Sequence, residues 1–174
     1  MSGDSQERHR IAAEWEVLIG RFSLAMGEVE LNVSQMLMLI GRSTRGFLNE
    51  RLKRLSDNLQ DLEPSLVDPC RRCIEEAKRL KNHRNEILHA ALSIYVWFEG
   101  IPLEGTVNAD EIGDRKPLLG SKIISFDERR SEIDPEAMRA FIADVRALNR
   151  ELTCLLLRQQ AFNPEPVAGP AGER

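Results

Sequence analysis

Three side chains of different chemistry lie close together in this sequence: Arg84, Asn85 and His89. Arginine carries a planar fork of donors that fits phosphate oxygens, and asparagine can orient a neighbouring group. Histidine can exchange a proton at neutral pH. In a helix, Asn85 and His89 would be an i,i+4 pair, with Arg84 on a neighbouring face. The residue types therefore suit phosphodiester chemistry, in which histidine moves a proton and arginine binds the phosphate.

Each of these residues also has a structural interpretation. A single helical histidine is often only part of the packing, and an asparagine alone carries no signal. An arginine beside an apolar stripe commonly extends to solvent or pairs with a carboxylate. The carboxylates that could pair with Arg84 are Glu28, Glu30 and Glu86. The three residues together in one helix favour the functional interpretation.

The chain from residue 42 to residue 84 is basic, although the whole protein has a net charge of −4. It contains eleven basic and seven acidic residues, a net charge of +4. Because the overall charge repels a polyanion, any nucleic-acid contact must come from such a local patch. The candidate contacts are Arg71, Arg72, Lys78, Arg79, Lys81 and His83. The alternative is that these side chains belong to ordinary solvated helix faces.

Length and composition predict one domain over residues 1–162, followed by a disordered tail at 163–174 that is rich in Pro and Gly. No apolar run reaches the roughly 18 residues of a membrane span, and the first residues lack a signal-peptide pattern. Three cysteines, an odd number, argue against a secreted disulfide framework. We therefore expect a cytoplasmic protein with no membrane partner.

Apolar periodicity predicts four helices. They run from about Gln6 to Ile40, from Ser43 or Thr44 to about Leu62, from Asp68-Pro69 to about Ala91, and from Asp134-Pro135 onward. Gly41 is expected to end the first helix, and Gly20 and Gly27 inside it to permit a bend or a close helix crossing. The fold class is therefore all-α, with four helices.

The helical period disappears between about residues 93 and 130. Two segments rich in β-branched and aromatic residues, Ser93–Phe98 and Lys122–Phe126, flank a stretch with several Gly and Pro. A small β-hairpin or loop insert between the third and fourth helices is predicted. The alternative is that residues 93–97 extend the third helix.

Cys70 and Cys73 have the spacing of a Cys-x-x-Cys motif. A structural zinc site needs four ligands, and Cys154 is the only further thiol. Both cysteines of the motif fall on the apolar face of the third helix, so we expect buried side chains that act as small hydrophobes. No metal site and no cofactor are predicted.

The segment Arg84-Asn85-x-x-x-His89, late in the third of four helices, resembles the signature of the HEPN superfamily (higher eukaryotes and prokaryotes nucleotide-binding domains). The resemblance covers about residues 6–160, and the six-residue motif is its specific part. It implies an up-and-down four-helix bundle that usually dimerises, so that two copies of the motif line one cleft. This chain differs in Ala90, where a glycine commonly follows the histidine, and in its longer insert.

Many members of that family are metal-independent endoribonucleases, and the resemblance implies catalytic roles for Arg84, Asn85 and His89 and RNA contacts for the basic candidates. The expected partners are RNA, a second copy of the chain and, if the protein is a toxin or defence effector, a cognate antitoxin or regulatory protein. The alternative is a non-catalytic module that binds RNA, a nucleotide or a protein through the same residues.

Overall fold

The computed structural model describes residues 3–98, 117–124 and 132–163, which are mostly helical. Its four α-helices are α1 (Gly3–Leu39), α2 (Leu48–Asp57), α3 (Val67–Leu88) and α4 (Pro135–Phe162). Its three strands are β1 (Ala91–Phe98), β2 (Pro117–Ile124) and β3 (Glu132–Ile133). In the described ranges, none of the helices is both long and apolar enough to cross a membrane. The mainly helical class is confirmed, and the predicted tail beyond Asn163 lies outside the described residues.

Helix α1 ends as the sequence predicts. Gly41 follows the helix with φ +68, a left-handed conformation that glycine adopts without strain. The Arg42 N–H donates to the Leu37 carbonyl at 2.8 Å, and the Gly41 N–H donates to the Met38 carbonyl at 3.0 Å. This pair of hydrogen bonds is the Schellman motif, which satisfies carbonyls that the helix end leaves without partners.

Helix α2 begins later and ends earlier than predicted. Ser43 does not cap it, because its hydroxyl accepts the Arg45 N–H at 3.3 Å in a local turn. Gly46 then adopts a non-helical conformation with φ +97, and the helix starts only at Leu48. The Glu50 carboxylate accepts the N–H of the N-cap residue Phe47 at 2.9 Å. The stretch predicted to continue to Leu62 instead forms a 3₁₀ turn at Leu59–Asp61, and a second follows at Pro64–Leu66.

The Asp-Pro start signal is confirmed for α4 and shifted for α3. The Asp134 carboxylate accepts the Ala137 N–H at 2.7 Å, so Asp134 is the N-cap and Pro135 is the first helical residue. Helix α3 starts at Val67, one residue before Asp68. Asp68 therefore lies inside the first turn, where it pairs with Arg71.

The predicted β-structure between α3 and α4 is confirmed, although the strands begin earlier than predicted, at Ala91 and Pro117, and a third strand was not predicted. The alternative that residues 93–97 extend α3 is wrong. Strand β1 pairs antiparallel with β2, from Ala91 opposite Ile124 to Phe98 opposite Pro117. The short strand β3 adds to the other edge of β2, giving the order β1-β2-β3. Residues such as Ile94, Tyr95 and Val96 prefer this extended conformation, which explains why α3 ends before them.

The chain divides into two compact units. The first contains Met1–Ile19 and Glu86–Arg139. In this unit the Trp15 indole N–H donates to the Ser121 hydroxyl at 2.8 Å, and Arg139 pairs with Glu14. Its buried apolar side chains include Ile11, Trp15, Leu18, Ile123 and Ile133.

The second unit contains Gly20–Asn85 and Ala140–Arg174. Its pairs between α3 and α4, in order along α3, are Cys73–Glu151, Arg79–Asp144 and His83–Phe141. The partners run in opposite directions, so α3 and α4 are antiparallel here. In contrast, Phe22 contacts Phe141 and Asn32 donates to Asn149, so α1 and α4 run in the same direction.

An up-and-down bundle, in which the first and fourth helices are antiparallel, is therefore not confirmed. Arg51 of the short helix α2 bonds Ser34 of α1, and Asp61, beyond the end of α2, pairs with Arg42.

Candidate functional site

The candidate residues Arg84 and Asn85 lie in the last turns of α3, and His89 lies in the turn that follows. The prediction placed all three inside the helix, but α3 ends at Leu88. Asn85 and His89 are exposed, whereas Ile87 between them is buried. Among the described residues, His89 makes no hydrogen bond or ion pair, so its imidazole is accessible from solvent.

Arg84 lies beside a carboxylate of α1. Its Nη1 atom is 3.8 Å from Glu30 Oε1, and its side chain is 36% exposed. Its Nε atom is buried and has no hydrogen-bond partner in the described part of the chain. Glu30 is one of the three carboxylates that the structural interpretation named, so Arg84 does have a partner. The ion pair between Glu30 and Arg84 is long, and it leaves part of the guanidinium accessible.

Arg51 is a second cation at Glu30, and sequence reasoning did not assign it to the site. Its Nη2 atom is 4.0 Å from Glu30 Oε2. Its other donors are fixed, because Nε donates to the Gly46 carbonyl and Nη1 to the Ser34 hydroxyl, both at 2.8 Å. Glu30 thus lies between two guanidinium groups. The sequence offers only a weak indication that Glu30 belongs to a site: it directly follows the buried Val29, at the edge of the apolar stripe of α1.

His83, predicted as a possible RNA contact, stacks on Phe141. The ring centroids are 4.2 Å apart and the planes are inclined by 20°. One face of the imidazole is therefore covered by α4, and only the rest of this half-buried ring could reach a ligand. Stacking of this kind is a packing interaction that the sequence did not reveal, since the two residues are far apart along the chain.

Most of the predicted basic contacts are used by neighbouring residues. Lys78 pairs with Glu75 at 2.8 Å, and Lys81 donates to the Asn49 side chain at 2.5 Å. Arg71 pairs with Asp68, as described above. Arg72 is exposed and has no ion pair among the described residues. These exposed pairs are individually weak, but they reduce the positive field that the sequence suggested.

Arg79 is the most strongly paired of these cations. It contacts both Glu76 and Asp144 at 2.6 Å, joining α3 to α4. The hydrogen bond with Glu76, followed by that with Asp144, raises the pKa of the Arg79 guanidinium. The hydrogen bond from Arg79 also lowers the pKa of the Glu76 carboxyl. Arg79 is thus committed to the contact between these two helices.

Cys70 and Cys73 are buried, as predicted, and Cys154 is exposed. Burial raises the pKa of both buried thiols to about 12, and the neighbouring Glu151 carboxylate contributes at Cys73. Both side chains are therefore neutral thiols at physiological pH. Cys73 also lines a shallow cavity of about 260 Å³. Its full lining is Pro69, Arg72, Cys73, Arg150, Glu151, Cys154 and Leu155.

Comparison of the chain with protein-family models, with curated proteins and with solved structures gives no match.

Proposed function

We propose that this chain is a metal-independent endoribonuclease of the HEPN-like type, with Arg84, Asn85 and His89 as its catalytic residues. The observation that carries the proposal is the state of Arg84. Among the described residues its guanidinium makes only a long ion pair at 3.8 Å, and its side chain is 36% exposed. The Nη donors that this pair leaves unused are available to a phosphate, whereas the Nε atom is buried.

The proposed chemistry needs only these side chains and the RNA. His89 takes the proton of the ribose 2′-hydroxyl as it attacks the adjacent phosphorus, or protonates the departing 5′-oxygen. Arg84 binds the phosphate and stabilises the charge that builds on its oxygens. Asn85 orients the imidazole or donates to the phosphate. The expected products are a 2′,3′-cyclic phosphate and a 5′-hydroxyl, and DNA is not cleaved because it lacks the nucleophile.

The accessibility of Asn85 and His89 supports the proposal. Both are exposed, and they lie one and five positions after Arg84 in the chain. A proton-transfer group must approach the substrate to within hydrogen-bond distance, so a buried histidine would not serve. The reaction as proposed uses no metal ion or cofactor, since the nucleophile belongs to the substrate.

The ion pair between Arg84 and Glu30 favours a second candidate function, a non-catalytic module that binds RNA, a nucleotide or a protein. A carboxylate beside the arginine competes with a phosphate for the same donors. The ion pairs of Arg71, Lys78 and Arg79 likewise reduce attraction to a polyanion. Such a module would bind through the same residues without cleaving RNA.

Cleavage of single-stranded RNA in the presence of EDTA tests the first candidate. We expect the wild type to cleave and His89→Ala to be inactive with an unchanged circular dichroism spectrum. His9→Ala is the matched control, since His9 is also an exposed histidine but lies near the start of α1. Full activity of His89→Ala would refute its role. Binding without cleavage by the wild type would favour the second candidate.

A paired experiment separates binding from catalysis. If Lys78 and Lys81 follow the RNA backbone, the double variant Lys78→Ala/Lys81→Ala should weaken affinity and flatten its salt dependence, by roughly 0.7 log units per lost phosphate contact. Arg84→Ala should also reduce the single-turnover rate at saturating RNA, because it removes stabilisation of the transition state. An unchanged rate at saturation would make Arg84 a binding residue only.

The proposed partners are RNA, a second copy of the chain and a cognate inhibitor. RNA is the substrate, and a second copy of the chain would complete the cleft by bringing a second set of the three residues. A toxin or defence effector would also have a cognate inhibitor. Addition of the purified product of an adjacent reading frame to the cleavage assay tests this, since an antitoxin should suppress cleavage at a stoichiometric ratio.

A further inference from the structure

The outer face of α1 carries a regular stripe of exposed apolar side chains. Leu24, Leu31 and Met38 are 75%, 56% and 54% exposed, and each follows the previous one by seven residues. Seven residues are close to two helical turns, so the three side chains lie on one line along the helix. This line is separate from the buried face, which contains Phe22, Val29 and Met36 among others.

Two glycines lie beside this line at the same spacing. Gly20 and Gly27 precede Leu24 and Leu31 by four residues, which places them on the adjoining edge of the same face. Glycine inside a helix costs about 1 kcal/mol relative to alanine. The described structure gives no reason for this cost, because a Cβ atom added at either position would meet nothing within 4 Å. The close helix crossing predicted from these glycines is therefore absent within the described chain.

We infer that this face of α1 binds the same face of a second copy, with the two helices antiparallel. In an antiparallel helix pair, a residue at heptad position a of one helix packs against a residue at position d of the other. One register places Leu24 over Gly27 of the second copy and Leu31 over Gly20 of the second copy, with the reciprocal contacts related by a two-fold axis. Each large side chain then meets a surface without a Cβ atom.

Charge complementarity supports the same register. Arg21 and Glu28 flank the stripe on its other side, and in this register Arg21 of one copy lies opposite Glu28 of the second copy. Arg21 is exposed and has no ion pair among the described residues. The symmetry forms this pair twice.

A parallel arrangement fits the sequence less well. It would place leucine against leucine and glycine against glycine in alternating layers. The leucine layers would hold the helices apart while the glycine layers left gaps, and gaps in an interface lose dispersion contacts. The antiparallel register avoids this because each layer contains one large and one small residue.

Sedimentation velocity over a concentration series tests the interface. We expect the wild type to dimerise at about 10 μM or below, and Leu24→Lys or Leu31→Lys to raise the dimer dissociation constant at least tenfold. Gly27→Leu should do the same, because it blocks the close approach. The matched control is Leu157→Lys, since Leu157 is an exposed leucine of α4 outside the stripe. A monomeric wild type at roughly 100 μM, or a dimer unaffected by the leucine changes, would overturn the inference.

A charge exchange tests the register. Arg21→Glu and Glu28→Arg should each weaken the dimer, and the double variant should restore it, because the opposite pair is rebuilt across the axis. Glu28 also accepts a hydrogen bond from Asn149 at 3.2 Å, so thermal unfolding of each variant is followed to confirm the fold. A double variant as weak as the folded single variants would refute the antiparallel register. This inference does not depend on the proposed ribonuclease activity, and RNA cleavage is measured separately.

Discussion

Replacement of Glu30 by glutamine should distinguish a phosphate-binding Arg84 from a structural one. Glu30 contacts Arg84 at 3.8 Å and Arg51 at 4.0 Å, and its own side chain is 28% exposed. Partly exposed ion pairs of this length are worth roughly 0.3 to 1 kcal/mol each. Glu30→Gln should therefore lower the free energy of unfolding by about 1 kcal/mol, which is a fall in Tm of roughly 2 to 4 °C for a chain of this size.

The same change should strengthen RNA binding if Arg84 contacts phosphate. The carboxylate no longer competes for the guanidinium, and a competing interaction of about 1 kcal/mol corresponds to a rise in affinity of about fivefold. Arg51 should contribute little, because its other donors remain bonded to Gly46 and Ser34. The assay is fluorescence anisotropy of a labelled single-stranded RNA at fixed salt, with thermal unfolding followed in parallel.

The matched control is Glu7→Gln, which removes the same charge from α1 but releases Arg10, a residue outside the predicted RNA contacts. It corrects for the general effect of a more positive protein. Glu30→Gln should raise RNA affinity more than the control does. This additional rise in affinity should disappear when Arg84 is replaced by alanine, as a double-mutant cycle requires. Equal affinities for the two glutamine variants would refute the idea that Glu30 restrains a phosphate-binding arginine. Arg84 would then be a structural partner of Glu30.

Four further predictions concern stability and cysteine reactivity. Asp134→Ala removes the N-cap bond to Ala137 and should cost about 1 kcal/mol in chemical denaturation, whereas Asp134→Asn should retain most of the stability. Asn149→Ala should cost roughly 1 to 3 kcal/mol, since the buried Asn149 amide donates to the Ala25 carbonyl at 2.9 Å, and an unchanged denaturation midpoint would contradict this. Burial raises the pKa of the Cys70 and Cys73 thiols from about 9 to about 12, so the unfolded chain loses these protons first and stability should fall as the pH rises from 9 towards 12. The double variant Cys70→Ala/Cys73→Ala should show a smaller fall, and at pH 8 a thiol reagent should modify Cys154 before either buried cysteine.

Features that depend on neighbouring residues could be predicted from the sequence alone. The end of α1 at Gly41 and the start of α4 at Asp134 are determined by hydrogen bonds that span only a few residues. Apolar periodicity likewise predicted that Cys70 and Cys73 are buried, because a helix places every third or fourth residue on one face. The sequence also identified Arg84, Asn85 and His89 as candidates, since residue type and spacing can be read directly.

The tertiary structure determined which side chains meet. Glu30 precedes Arg84 by more than fifty residues and Phe141 follows His83 by a similar distance, so the periodicity of either helix alone could not pair them. The same applies to the end of α3, which stops where residues 91–98 pair with β2. The physical reason is that hydrogen bonds and ion pairs between distant segments compete with local preferences, and only the folded chain decides which of them form.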